Sequence, residues 1–187
     1  MARRIAGKKP GEPLRIWSVP CSTGEEPYSI AIWLLETWAQ VDSFDIEIVG
    51  ADIDTRVLDA AREGVFGKRA LMRLSPDVIA KYFVPLDEHN WQIIEELRQS
   101  VRFSSVNLMD ADAMRAQGRF DVIFCRNVLI YFDDASRRLA AENLYENLAP
   151  GGYICLGHTE SMSRISPLFE VCRFVDAIVY QRPAGGA

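Results

Sequence analysis

The chain has 187 residues, 49% of them hydrophobic and 25% charged, which fits one globular domain with a substantial core. Its formal net charge of −5 argues against general nucleic-acid binding, because that requires a clustered basic surface. No apolar run is long enough to cross a bilayer and no signal-peptide pattern is present, so we expect a cytoplasmic protein without direct membrane insertion.

Residues 1–13 form a basic segment rich in glycine and proline, with four cationic side chains: Arg3, Arg4, Lys8 and Lys9. We expect this segment to be a solvated tail or a linker. The domain proper then runs from residue 14 to residue 187.

An apolar run at residues 16–19 leads into a short polar turn, and a helical pattern follows. Apolar side chains recur at i, i+4 and i+8, in Ile30, Leu34 and Trp38. Pro27 suits the first turn of a helix, where its missing N–H is not needed. A strand, a tight turn and a helix are predicted, and in an open α/β sheet a ligand binds beyond such a strand.

The turn itself has two interpretations. It contains one glycine, Gly24, and lacks the glycine-rich patterns that bind dinucleotides or nucleotide phosphates. Thr23 and Glu26 have the spacing of a capping box, which would make the turn a capped connection without a ligand. The backbone N–H groups of the turn could instead hold a small ligand.

A second predicted strand, residues 44–51, ends at Asp52, and a helix begins near Thr55. An acid at this point of a doubly wound sheet can accept hydrogen bonds from ribose hydroxyls, whereas an acid just before a helix can cap it. Two acids are available, so each role can be filled. We assign Asp52 to the sugar and leave Asp54 as the cap.

The middle of the chain is less regular. Residues 75–83 predict a short helix, and about 84–103 mix strand-like and helical spacing, which we interpret as a small inserted subdomain. Residues 103–108 return to the sheet. Asn107, just past that strand, could bind an adenine edge or satisfy its own turn.

Residues 120–125 are a near-continuous apolar run, typical of a central parallel strand that is buried on both faces. Arg126 and Asn127 follow it and predict a site at its carboxyl end. A helix capped at residues 133–134 comes next, for which we expect one apolar face of three leucines: Leu139, Leu144 and Leu148.

Residues 153–157 predict a fifth strand, and residues 169–171 and 177–182 a closing antiparallel pair. The fold class is therefore α/β: a Rossmann-like class I methyltransferase with a mostly parallel sheet, a C-terminal antiparallel hairpin and a small inserted subdomain. Four cysteines lack CxxC spacing, so we expect buried free thiols and no metal site: Cys21, Cys125, Cys155 and Cys172.

Five segments resemble those of the chemotaxis receptor methyltransferases: residues 21–29, 51–55, 107–108, 120–133 and 148–161. Enzymes of this family transfer a methyl group from S-adenosyl-L-methionine to receptor glutamate side chains, forming methyl esters. The resemblance runs from about residue 14 to the end of the chain. It implies S-adenosyl-L-methionine as cofactor, S-adenosyl-L-homocysteine as product, and the cytoplasmic domain of a methyl-accepting chemotaxis receptor as partner.

The resemblance also implies roles for individual residues around the cofactor. Glu26 would receive the amino group of its methionine part, and Asp52 would bind its ribose. Asn107 and Leu108 would lie at its adenine. We favour this ligand role for Glu26 over the capping box, because an ammonium partner gives a charge-assisted hydrogen bond.

Three more residues are implied near the reacting groups. Arg126 and Asn127 would lie beside the cofactor at the end of the central strand, and Tyr131, the one residue assigned to catalysis, would border the substrate cleft. A glutamate carboxylate has a pKa of about 4.3 and is already ionised at neutral pH, so no general base is required. His158 is interpreted as a polar residue at a strand end.

Two departures from the family pattern affect the functional prediction. Family members carry an N-terminal helical region with an Asn-x-Thr-x-Phe-Phe-Arg motif that supplies an arginine near the methyl group, and no such motif precedes Leu14. The alternative function is therefore a cofactor-binding sensor or scaffold with impaired catalysis. The insertion is also short and lacks a glycine-rich turn, which argues against tethering to a receptor pentapeptide.

Overall fold

The structure, a computed structural model, describes residues 12–175 and 177–185. Most of the predicted basic tail, residues 1–11, lies outside the described residues. None of the helices within the described ranges is both long and apolar enough to cross a membrane.

The described residues form ten strands and seven α-helices. The strands are β1 (Leu14–Ser18), β2 (Ile46–Asp52), β3 (Val65–Gly67), β4 (Phe83–Pro85), β5 (Asn90–Ile93), β6 (Val101–Ser105), β7 (Phe120–Cys125), β8 (Leu148–Leu156), β9 (Glu170–Arg173) and β10 (Ile178–Gln181). The helices are α1 (Glu25–Thr37), α2 (Thr55–Glu63), α3 (Lys68–Leu71), α4 (Pro76–Tyr82), α5 (Glu95–Ser100), α6 (Ala111–Ala116) and α7 (Asp134–Glu146).

The main sheet has seven strands in the order β6–β2–β1–β7–β8–β10–β9. The pairs from β6 to β8 are parallel, whereas β10 is antiparallel to both β8 and β9. Strand order reverses at β1, which pairs with β2 on one side and β7 on the other. The predicted α/β fold class, with a mostly parallel sheet and a C-terminal antiparallel hairpin, is confirmed.

Each face of the sheet carries its own apolar core, because successive side chains of a strand point to opposite faces. Ile16 belongs to the core that also contains buried residues of α1, whereas Trp17 belongs to the core on the side of α6 and α7. Trp17 stacks on Phe120 of β7 with ring centroids 4.6 Å apart. Burial on both faces explains why β7 is apolar except for Asp121.

The capping box, the less favoured interpretation of the turn before α1, does not form. The N-cap residue is Gly24, with a left-handed φ of 92°, and no side chain caps the helix. The Thr23 hydroxyl instead donates to the carboxylate of Glu25, at 2.7 Å from its closer oxygen. Glu26 is thereby left to make contacts outside the turn. Pro27 lies in the first turn of α1, as its position in the sequence indicates.

The insertion has different boundaries from those predicted, about 84–103. A three-stranded antiparallel sheet, in the order β3–β5–β4, begins at Val65 and ends at Ile93. Residues 101–105 form β6, which pairs with β2 in the main sheet. Strand β3 has only three residues, and two helices separate it from its partner strand β5. Its sequence is therefore too short to show the alternation of apolar and polar residues that predicts a strand.

The leucine face predicted for α7 is also wrong. Leu144 is fully buried, whereas Leu139 is 39% exposed. Five positions along an α-helix turn a side chain by about 140° from a common direction, so these two residues face different ways. Leu148 is the first residue of β8. Ala140 and Ala141 complete the buried face of α7 instead.

We expect Leu144→Ala to lower the free energy of unfolding by about 2–5 kcal/mol, because it leaves a cavity in a fully packed core. Leu139→Ala, on the exposed side of the same helix, serves as the matched control and should cost less than about 1 kcal/mol. Urea denaturation followed by circular dichroism measures both values. Equal losses in the two variants would contradict the assignment of the buried face.

Candidate active site

The β1–α1 turn is hydrogen-bonded to β2 and β7, the two strands that pair with β1. The N–H of Val19 donates to the carbonyl oxygen of Phe124 in β7 at 2.8 Å, and the N–H of Cys21 donates to that of Ala51 in β2 at 2.8 Å. Residues beyond the end of β1 are therefore held between the ends of β2 and β7. Asp52 is the last residue of β2, and Arg126 directly follows β7.

Asp52, at the end of β2, is fixed by backbone donors on either side. Its Oδ2 accepts from the N–H of Ser22 at 3.0 Å, and its Oδ1 accepts from the N–H of Asp54 at 3.0 Å. An ionised carboxylate has about four acceptor sites, so each oxygen keeps capacity for a further donor. The half-buried Asp52 is thus an oriented acceptor at the edge of the turn.

Asp54 has the capping role that the sequence indicated. Its side chain accepts from the N–H of Arg56 at 2.9 Å and also binds the Arg56 guanidinium. The Arg56 side chain, followed by its backbone N–H, lowers the pKa of Asp54 to about 2. The division of the two acids into a cap and an open acceptor therefore agrees with the structure.

Glu26 lies on the other side of the turn and connects three elements. The Ser18 hydroxyl donates to its Oε1 at 2.8 Å, and Nη1 of Arg126 donates to its Oε2 at 3.0 Å. Ser18 ends β1 and is fully buried. This serine was not among the site residues predicted from the sequence, although it is the single polar residue inside the apolar run 16–19.

The Asn107–Leu108 segment lies next to Asp52, because the N–H of Val106 donates to the Asp52 carbonyl oxygen at 3.0 Å. Asn107 is exposed, and its side-chain oxygen accepts from the N–H of Met109 at 3.0 Å. That contact is the turn-satisfying alternative foreseen from the sequence. The Leu108 side chain is buried in the core, and its carbonyl oxygen accepts from the Asn143 side chain at 2.8 Å.

Arg126 and Asn127 follow β7, and Asn127 has a left-handed φ of 59°. The backbone N–H of Asn127 donates to a carboxylate oxygen of Glu160 at 2.8 Å. Glu160 was not assigned a role in the sequence, although it lies within the family-like segment 148–161. Tyr131 closes the short 3₁₀ turn Leu129–Tyr131, and its side chain is 81% exposed.

A cavity of about 850 Å³ opens beside this region, over β7, β8 and β10. Glu25, Glu26 and Arg126 contribute charged groups to its lining. The remaining wall is largely apolar and includes Ile30, Trp33, Val122, Phe124, Tyr153 and Phe174. Glu26 therefore faces a space large enough for a small molecule or part of a larger substrate.

The thiols near this region are poor nucleophiles. Burial, followed by the charge of Asp52, raises the pKa of Cys21 to about 12. Burial raises the pKa of Cys155 to about 11, with Glu26 adding to the shift, and it also raises the pKa of Cys125. Because the thiolate is the reactive form, these cysteines do not fit covalent catalysis at neutral pH.

A family model described as "CheR methyltransferase, SAM binding domain" matches residues 1–178. The chain belongs to this family. The resemblance found in the sequence is thereby confirmed.

Named relatives agree with this assignment. The chain is 50% identical over 182 residues to "Chemotaxis protein methyltransferase 2" of Vibrio cholerae, covering 97% of this chain and 63% of that protein. It is 44% identical over 161 residues to a protein of the same name from Pseudomonas aeruginosa, covering 83% and 56%. The chain thus spans less than two thirds of the length of these relatives.

Solved structures of more distant proteins share the fold. The N-methyltransferase NodS of Bradyrhizobium japonicum, in complex with S-adenosyl-L-homocysteine, gives a TM-score of 0.55 at 13% identity, covering 90% of this chain and 78% of that chain. An O-methyltransferase family protein from Burkholderia thailandensis gives 0.55 at 17% identity, covering 92% and 52%. At these identities the likeness concerns the fold alone.

The raised thiol pKa values predict slow chemical modification of the native protein. With a pKa of about 12, Cys21 has a thiolate fraction of about 10⁻⁴ at pH 8, far below that of an ordinary cysteine. Titration with Ellman's reagent should therefore show at most one fast thiol in the native protein and four after denaturation. Cys172→Ser is the control, since it should remove any fast phase. Fast reaction of two or more native thiols would contradict the prediction.

Proposed function

We propose that the chain binds S-adenosyl-L-methionine beyond the carboxyl ends of β1, β2 and β7, and that it methylates glutamate side chains in the cytoplasmic domain of a methyl-accepting chemotaxis receptor. The product would be a glutamyl methyl ester. Family membership supports methylation in chemotaxis. The observation that carries the proposal is the pair of oriented carboxylates, Asp52 and Glu26, on the two sides of the β1–α1 turn.

The side chains at the turn fit the chemistry of this cofactor. Ribose hydroxyls are donors, and Asp52 offers two fixed oxygens with remaining acceptor capacity. An ammonium group is a charged donor, and Glu26 offers a carboxylate whose two oxygens each have one partner among the described residues. The Asn107–Leu108 segment, joined to Asp52 through Val106, is proposed for the adenine.

S-adenosyl-L-methionine, when bound, supplies a methyl group activated by a positively charged sulfur. The acceptor glutamate is ionised at neutral pH, so this chain need not remove a proton. Its own contribution would be to orient the two reactants and keep water away, and good positioning can supply about 7–11 kcal/mol. Arg126, paired with Glu26 at 3.0 Å, offsets negative charge where an anionic side chain would approach.

The exposed Tyr131 is proposed to border the path of the receptor side chain rather than to transfer a proton. It lies in the segment that follows Arg126 and Asn127, and 81% of its side chain is open to solvent. Asn127 is proposed to line the cofactor side of that segment. In this arrangement no described side chain is needed as a covalent nucleophile.

The function is tested by methyl transfer from radiolabelled S-adenosyl-L-methionine to purified receptor cytoplasmic fragments. Alkaline treatment should release the label as methanol, because esters hydrolyse whereas N-methyl groups do not. Receptor fragments with their acceptor glutamates changed to alanine serve as the control. Since the chain spans less than two thirds of its relatives, the same assay is run on a full-length family member. Binding of S-adenosyl-L-homocysteine without transfer by this chain would favour the alternative, a cofactor-binding sensor or scaffold.

Asp52→Ala should weaken binding of S-adenosyl-L-homocysteine by about 1.5–3 kcal/mol, because hydrogen bonds to a charged acceptor are lost. Asp54→Ala is the matched control from the same turn. It removes the cap of α2, so it should lower the melting temperature while affinity changes little. Isothermal titration calorimetry and thermal melting give the two readouts. Unchanged affinity in Asp52→Ala would refute its role at the ribose.

Glu26→Gln tests the contact with the methionine amino group. Glutamine keeps an oxygen for the Ser18 hydroxyl but removes the negative charge, so cofactor affinity should fall while the melting temperature of the free protein changes little. Glu25→Gln, in the same turn of α1 as Glu26, is the control, because the Glu25 carboxylate is already bound by the Thr23 hydroxyl. If Glu26→Gln binds S-adenosyl-L-homocysteine as tightly as the parent, the assignment fails.

A further inference from the structure

Glu160 makes an unusual set of contacts for a side chain at a strand end. Its carboxylate accepts hydrogen bonds from four backbone N–H groups: Oε2 from Asn127 and Gly157 at 2.8 Å each, and Oε1 from Val128 at 3.1 Å and Leu129 at 2.8 Å. Four donors match the full acceptor capacity of a carboxylate. Bonds of this kind, with an ionised acceptor, are stronger than neutral ones.

Three of these donors belong to the segment that follows β7. The strand ends at Cys125, so the N–H groups of residues 127–129 have no ladder partners and need other acceptors. Glu160 supplies them from the end of β8. On its opposite side the segment is held by Arg137 of α7, whose guanidinium donates to the carbonyl oxygens of Leu129 at 2.9 Å and Phe132 at 2.6 Å.

The approach of Glu160 requires a residue without a side chain at position 157. A Cβ atom on Gly157 would lie 2.7 Å from Oε2 of Glu160 and 2.9 Å from the side-chain nitrogen of Asn127. The N–H of Glu160 also donates to the Gly157 carbonyl oxygen at 3.0 Å, which closes a tight turn after β8. Glycine at this position therefore lets the two strand-end segments touch.

The segment that Glu160 holds, residues 127–129, begins with Asn127 and directly follows Arg126. The Arg126 guanidinium reaches Glu26 at 3.0 Å. Arg126 and Asn127 were both placed in the proposed cofactor site. We infer that Glu160 is a positioning residue, which holds the backbone of residues 127–129 so that Arg126 and Asn127 keep their places beside the cofactor. The inference rests on the proposed function for the identity of that ligand. Because the carboxylate is saturated by backbone donors, Glu160 acts through these residues and not by touching the ligand.

The test compares three variants for binding of S-adenosyl-L-homocysteine. Glu160→Gln loses the charge and leaves one oxygen for four donors, so the segment should shift and affinity should fall about 10-fold or more. Glu160→Asp keeps the carboxylate and should recover most of that loss. Leu97→Ala is a control for general loss of stability, because this leucine is 4% exposed and belongs to a core cluster that does not include residues 126–129. At a temperature where all variants are folded, its affinity should stay near that of the parent.

Hydrogen exchange adds a local readout that needs no ligand. In Glu160→Gln the peptide covering residues 126–132 should exchange faster, while the peptide covering β7 should be unchanged; in Leu97→Ala the first peptide should stay protected. If the parent does not bind S-adenosyl-L-homocysteine, the proposed function fails and the inference fails with it. If the parent binds and Glu160→Gln binds equally well, or Leu97→Ala loses as much affinity, the inference alone is overturned.

Discussion

The position of β1 between β2 and β7 is the constraint on which the rest of the site depends. Both neighbours accept hydrogen bonds from the backbone just beyond the end of β1, through Phe124 and Ala51. These contacts hold the chain in a tight turn where the order of the strands reverses, which is where open α/β sheets bind ligands. Arg126, which follows β7, reaches Glu26 at 3.0 Å, and Asp52, at the end of β2, accepts from the N–H of Ser22 in the turn.

The carboxylates of the site differ in how much acceptor capacity they keep. Asp52 has one backbone donor on each oxygen, and Glu26 has Ser18 on one oxygen and Arg126 on the other. Both are oriented in advance yet can accept further donors. Glu160 has two backbone donors on each oxygen and is saturated. This difference separates acids that can bind a ligand from one that holds the backbone.

Features encoded by neighbouring residues were predictable from the sequence. The apolar runs at residues 16–19 and 120–125 identified buried central strands. Of the two acids at the end of β2, Asp52 was assigned as the acceptor because it is nearer the strand, and Asp54 is the cap of the following helix. The capping-box alternative does not form, because the helix starts one residue later, after the left-handed Gly24. The spacing rule for helix starts carries no information on that conformation.

Contacts between distant residues were not predictable in the same way. Three of the four donors to Glu160 lie 31–33 residues earlier in the chain, with α7 and β8 between, and they are backbone groups that leave no signature in residue type. Strand β3 pairs with β5 only after two helices intervene, so its three residues show no periodicity. The error over Leu139 is of another kind, because its five-residue spacing from Leu144 already places the two side chains about 140° apart on a helix.

The close approach of Gly24 to Ala61 of α2 limits which residues these positions can accept during evolution. A Cβ atom on Gly24 would lie 3.0 Å from the Cβ atom of the fully buried Ala61 in α2, and the Tyr28 hydroxyl donates to the Ala61 carbonyl oxygen at 2.9 Å. The first turn of α1 and the body of α2 therefore share one space with no room for another methyl group. A larger residue at either position would push the two helices apart. Glu26 lies in the first turn of α1 and Asp52 lies just before α2, so both site residues would move. Among descendants of this sequence, positions 24 and 61 are expected to stay small together, while the exposed surface of α2 is free to diversify.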